Sequence, residues 1–205
     1  GTAPYDRTKK AECHDGLGPL TFSSVQETIG KLGGASFLTE WGGIFFTPPY
    51  GAPRDSTYVQ EALWVMDEAD SQFQSWTHWD IDYFLDPSMK DTGEFLGCES
   101  SYPRGCIKDF IRPYAPAIAG KPVEMSFDHA NSGNFTLKYE TDEGIEAPTE
   151  IFLPPYRYPS GYGVDVEPSD VIEWSVCENH PNKICVSLLD NFAKSNVVTV
   201  RVWTK

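Results

Sequence analysis

Ser23-Ser-Val-Gln-Glu-Thr-Ile-Gly-Lys-Leu-Gly-Gly-Ala-Ser-Phe-Leu-Thr-Glu40-Trp-Gly-Gly43 contains a helix, a stop and a strand in direct succession. Ser23 with Gln26 reads as a capping box. Val25, Ile29 and Leu32 share one helical face, and Gly33-Gly34 ends the helix. Residues 35–39 then read as a short apolar strand that ends at Glu40. An aromatic and two glycines follow at once, and glycine lets the backbone turn away sharply.

The order then repeats. After a proline-rich loop from Phe45 to Pro53, a longer helix is predicted over about 57–73. Val59, Ala62, Leu63, Met66, Ala69 and Phe73 form its apolar face. A short aromatic strand follows, Ser75-Trp-Thr-His-Trp79. Helix, strand, helix, strand is the alternation of an α/β fold with parallel strands. Two such units neither close a sheet nor cover both its faces, so the segment needs more polypeptide than this chain contains. In folds of this kind the chemistry gathers where the strands end. Glu40 there suits a nucleophile or a general base; taken alone, the segment equally fits a Glu in a structural ion pair. Strand alternation turns His78 outward rather than toward a metal, and puts Trp76 against the helices.

From about Lys121 the texture changes to short alternating strands separated by polar or Gly/Pro/Asn turns. They are 123–127, 134–139, 149–153, 171–177, 184–188 and 197–203. That pattern predicts a small antiparallel sandwich of about 80 residues.

A net charge of −14 argues against partners rich in phosphate, whether nucleic acid or anionic membrane. No apolar run approaches the roughly 20 residues that span a bilayer, and the polar stretch 1–10 does not read as a signal peptide. Of the five cysteines, Cys98 with Cys106 and Cys177 with Cys185 each bracket a short polar loop, as a disulfide would. None has the two-residue spacing typical of zinc. Two bridges imply an oxidising compartment, and Asn134-Phe-Thr136 is a glycosylation sequon in keeping with secretion. Cys13 is left over, as a free thiol or as half of a bridge to another chain.

Three segments together carry a resemblance: Leu32-Gly-Gly-Ala-Ser-Phe-Leu-Thr-Glu40-Trp-Gly-Gly43, Phe73-Gln-Ser-Trp-Thr-His-Trp79-Asp80, and Ile111-Arg-Pro-Tyr-Ala-Pro-Ala-Ile-Ala-Gly120-Lys-Pro122. They resemble the C-terminal part of endoglycoceramidases and related glycosylceramidases of glycoside hydrolase family 5, in order and spacing from about residue 13 to the end. The resemblance implies an α/β plus all-β chain. Residues 1–120 would be the last βα units of a (β/α)8 TIM barrel, strands seven and eight with their helices, and residues 121–205 a C-terminal β-sandwich.

The resemblance makes Glu40 the nucleophile of a retaining β-glycosidase. Trp79 would pack under the sugar, and Trp41 stands at the cavity rim, where the family more often has Phe. The apolar loop 44–50, with Phe45, Phe46 and Tyr50, is a candidate aglycone surface; packing onto the rest of a barrel explains it equally well. The acid/base motif of Asn-Glu-Pro type is absent. The expectation is therefore a proteolytically processed glycoprotein, secreted or lysosomal, whose N-terminal companion chain completes the barrel and supplies the second acid. Cys13 would bridge to that companion or stay free. The substrate would be a glycosphingolipid, with transient contact at a membrane surface and no metal or organic cofactor. Glucosylceramidase or steryl-β-glucosidase specificity is the nearest alternative. A non-catalytic carrier, storage or pigment-binding descendant is the alternative of another class.

Overall fold

The computed structural model describes residues 18–42, 57–79, 110–129, 131–189 and 197–205. The chain divides into two compact units, Gly1–Phe110 and Ile111–Lys205. The expected boundary at 120/121 falls ten residues further on, because a short strand before it belongs to the second unit.

In the first unit, helix α1 (Gly18–Leu32) leads to strand β1 (Phe37–Gly42), and helix α2 (Thr57–Ser71) to strand β2 (Ser75–Trp79). The two strands pair in parallel, as the alternation requires. Helix α1 begins five residues before Ser23, so the predicted capping box does not exist. Ser23 lies inside the helix and its Oγ donates back to the Leu20 carbonyl at 3.0 Å. The glycine stop holds: Gly33 and Gly34 adopt φ of 74° and 100°, and the Gly33 N–H closes on the Ile29 carbonyl at 2.7 Å. The predicted apolar face of α1 is only partly covered, with Leu32 81 % exposed. Phe22 is buried instead and meets Trp64 edge-on at 5.9 Å. Helix α2 buries Ala62, Leu63, Met66 and Ala69 as its periodicity predicts. It ends through Phe73 at φ 52°, which returns the Gln74 N–H to the Ala69 carbonyl at 2.8 Å. Gln26 of α1 ties onto that turn, its amide donating to the Gln72 carbonyl at 3.1 Å.

The second unit is all β. Its strands are β3 (Tyr114–Ala117), β4 (Gly120–Phe127), β5 (Phe135–Thr141), β6 (Thr149–Phe152), β7 (Tyr162–Glu167), β8 (Ile172–Val176), β9 (Lys183–Leu188) and β10 (Val197–Thr204). They form two four-stranded antiparallel sheets, ordered β4-β5-β10-β7 and β3-β6-β9-β8. Six of the eight correspond to predicted strands; β3 and β7 do not. Alternation decides which side chains go inward: Phe135, Leu137 and Tyr139 from β5, Val198, Val200 and Val202 from β10, and Ile184 and Val186 from β9 are all buried. The outward positions carry cross-strand ion pairs. Lys138 meets Glu124, Lys183 meets Glu150 at 2.7 Å, and Arg201 reaches Asp165 and Glu167 at 3.1 and 3.2 Å. Each such pair is weak in water; their larger effect is to pin register.

Two arginines brace the entry to the sandwich. Arg112 is buried beside Phe127, its guanidinium carbon 5.6 Å from the ring centroid. Arg157 stands 5.4 Å from the same ring and donates its Nε–H to the Ile111 carbonyl at 2.6 Å. The tyrosine- and proline-rich run 154–159 is a turn: the Arg157 and Tyr158 N–H groups donate to the Pro154 and Pro155 carbonyls. Burial pushes the Tyr158 phenol well above the usual tyrosine range, and its hydroxyl donates to the Gly133 carbonyl at 3.3 Å.

Candidate active site

Glu40 lies on β1, two residues from its end, rather than just past a strand over 35–39. The ladder explains its setting. Leu38 pairs with Trp76 and Trp41 with His78, so β1 fits one more residue than β2 into the same span. That extra residue is a β-bulge at Thr39-Glu40, a device that leaves a residue out of the ladder and re-aims its side chain. The carbonyl of Thr39 is met from the side by the Thr77 hydroxyl of β2. Thr39, Glu40 and Thr77 are all exposed. Among the described residues Glu40 makes no ion pair.

On the other side of the strand pair the bulge lets the aromatics converge. Trp41 meets Trp76 edge-on at 5.6 Å, His78 edge-on at 4.9 Å and Phe110 nearly stacked at 5.8 Å. Trp41, Trp76 and Phe110 pack on Leu63 and Met66 of α2. Trp76 is thus against the helices, as alternation predicts, and His78 shares its side, 4.9 Å from Phe110. Trp41 belongs to this cluster instead of the cavity rim expected of it, because the bulge restores it to the face of Trp76. Trp41 Nε1 is buried there without a hydrogen-bond partner among the described residues.

Trp79 pairs with Gly42 at the end of the ladder, which sets it one strand across from Glu40 and two positions further along. Cys13, Phe45, Phe46, Tyr50, Cys98 and Cys106 lie outside the described residues. In the sandwich Cys177 and Cys185 are joined in a disulfide, eight residues apart, which closes the loop that their spacing predicts. Asn134 is exposed immediately before β5. Sequence reasoning missed Thr77. A hydroxyl in the middle of an aromatic strand is its only trace, and without the bulge that hydroxyl has no evident task.

Residues 112–202 match the model of the glycoside hydrolase family 5 C-terminal domain. Endoglycoceramidase I of Rhodococcus hoagii (strain 103S) is 28 % identical over 154 residues, which is 74 % of this chain and 25 % of that protein. Endo-glycoceramidase II from Rhodococcus sp., solved with a cellobiose-like isofagomine, superposes with a TM-score of 0.61. The identity is 22 %, over 97 % of this chain and 38 % of that one. Sterylglucosidase 1 of Cryptococcus neoformans superposes with a TM-score of 0.63 at 18 % identity, over 94 % of this chain and 31 % of that one. The chain thus spans about a quarter of the curated relative, and the two structural likenesses bear on the fold alone. Residues 112–202 are therefore similar to the glycoside hydrolase family 5 C-terminal domain, and 154 residues of the chain are similar to endoglycoceramidase I.

Proposed function

We propose that this is the C-terminal chain of a secreted or lysosomal retaining β-glycosidase that cleaves the bond between glycan and ceramide in glycosphingolipids. The observation that carries the reading is the exposed carboxylate of Glu40 on a strand bulge, without an ion-pair partner among the described residues, with the aromatic cluster turned the other way. The kinship with endoglycoceramidase I supports the substrate class. Glu40 attacks the anomeric carbon as the bond to the ceramide oxygen breaks, giving a covalent glycosyl-enzyme. A second, protonated Glu, held roughly 5–5.5 Å from Glu40, gives its proton to the departing oxygen. The same residue then takes a proton from water, which attacks the anomeric carbon and frees Glu40 with net retention. Trp79 offers a flat face to the sugar, and Phe45, Phe46 and Tyr50 line the aglycone side. This scheme uses no metal or organic cofactor.

The second acid comes from an N-terminal companion of the same precursor, which completes a barrel around β1 and β2. Three features support such a companion. Among the described residues β1 and β2 pair only with each other, which leaves both edges of the pair open. Leu20, Leu32 and Phe37 are 65 %, 81 % and 55 % exposed. Among the described residues, buried polar atoms of Ser36, Gln72 and Gln74 have no partner.

Glu40→Gln in the full-length precursor tests the assignment. Hydrolysis falls by more than about a thousand-fold, while the melting temperature stays where it was. A variant keeping several per cent of activity would place the nucleophile elsewhere. Relative rates on glycosylceramides with short and long glycans, and on a steryl glucoside, separate the endoglycoceramidase reading from glucosylceramidase or steryl-β-glucosidase specificity. Glycolipid binding with no turnover by the native protein would favour the carrier alternative.

A further inference from the structure

We infer that the indole of Trp203 is a platform on which the glycan carried by Asn134 of the same chain comes to rest. Trp203 alternates with the buried Val202 on β10, so it stands on the outer face of the β4-β5-β10-β7 sheet. Its ring lies on Gly163, the residue paired with it on β7. A Cβ added at Gly163 would come within 3.0 Å of Cε2, Cζ2 and Nε1, with the ring-fusion carbon Cε2 the nearest. An approach from the rim would put an outer atom nearest; this pattern is an approach to the flat of the ring. One face of the indole therefore rests on bare backbone, which only glycine permits. The residue is still 41 % exposed, which leaves the opposite face open to solvent.

The neighbour on the other side of Trp203 is the attachment residue. Val202 pairs with Phe135 at the end of the ladder, and both are buried; the same register carried one residue further sets Trp203 opposite Asn134, on the outward face. A Cβ at Gly133 would touch Thr204 at 3.5 Å, so the segment leading into β5 runs beside the end of β10. Asn134 is exposed and its backbone is held. Its N–H donates to Ser132 Oγ at 3.3 Å, and its carbonyl accepts the Asp128 N–H at 2.9 Å. The chain from Asn134 to Gly163 crosses two strand spacings, about 10 Å, a span that the first two sugars of an N-glycan cover. A pyranose turns one face of weakly positive C–H bonds outward, and the open π-face of an indole is its electrostatic complement. The charges bordering the ring are already matched, Arg201 to Asp165 and Glu167, so they frame the platform without competing for it.

This inference rests on passage through a secretory pathway and is independent of the hydrolytic reading, so activity is not a readout. The full-length protein is secreted from a eukaryotic host and Asn134 occupancy is measured by glycopeptide mass spectrometry. Enzymatic removal of the glycan is expected to lower Tm by roughly 2–4 °C in the native protein and to leave Trp203→Ala unchanged. In the native glycoprotein the N-acetyl methyl protons of the stacked sugar shift upfield through the indole ring current. This measurement needs no variant and stands if Trp203→Ala fails to fold. An empty Asn134, or an occupied one whose methyl protons resonate as in the free sugar, would overturn the inference. So would an equal loss of Tm in Trp203→Ala.

Discussion

Thr77 of β2 donates its hydroxyl to the carbonyl of Thr39, the residue directly before Glu40. The bulge removes Thr39 from regular pairing, and this side chain supplies the partner that the ladder does not. Thr77→Val keeps the shape and deletes the donor. The expected cost is about 1 kcal/mol of stability, with a several-fold fall in kcat and little change in KM. Steady-state kinetics and urea unfolding of the full-length protein check it; an unchanged kcat would show that the bond does not position the carboxylate.

Trp41→Ala removes the ring that joins Trp76, His78 and Phe110. A loss of about 3 kcal/mol or more is expected, from transfer and cavity terms together. Trp41→Phe should cost much less, because it keeps a stacking partner for Phe110. Denaturation midpoints of the two variants give the comparison.

Asp128 supplies an acid-side test. Hydrogen bonds from the Ser132 hydroxyl and backbone N–H, then from Asn131, hold its carboxyl down from 3.8 to about 2. The folded value lies below the unfolded one. The carboxylate therefore contributes stability above pH 4, and that contribution is lost as pH falls through about 2. Asp128→Asn should be less stable than the native protein above pH 4 and converge with it near pH 2. Urea midpoints across that range decide it, and parallel curves would contradict the linkage.

Breaking the bond between Cys177 and Cys185 by a double Ser substitution is expected to cost about 2–3 kcal/mol. Non-reducing peptide mapping should recover the two cysteines in one linked pair.

Where the sequence was legible, periodicity was strong and local. Met66 and Ala69 on α2, and the alternation of Phe135, Leu137 and Tyr139, announce their buried faces directly. Strand β3 was hidden because Tyr114-Ala-Pro-Ala117 has a proline and two small residues, a poor match to strand propensity. Strand β7 was hidden differently: Val164-Asp-Val-Glu167 alternates plainly, but it follows a run of prolines and tyrosines that reads as loop. The N-terminus of α1 was misplaced because Ser23 and Gln26 mimic a capping box while Gly18-Pro19 starts the helix. Glu40 was visible as a residue and as part of a motif, yet its bulge was not. An extra residue in a strand shows itself only when the partner strand is laid beside it.

The bulge also fixes what insertions and deletions this segment tolerates. Removing one residue between Leu38 and Trp41 would knit the two strands into an even ladder, and the hydrogen bonds alone would welcome it. Deleting Thr39 would set Glu40 against Thr77 and leave Trp41 against His78, so the rings would keep their face while the carboxylate lost the re-aiming that the extra residue gives it. Chain length between those two positions is therefore constrained more tightly than the identity of Thr39.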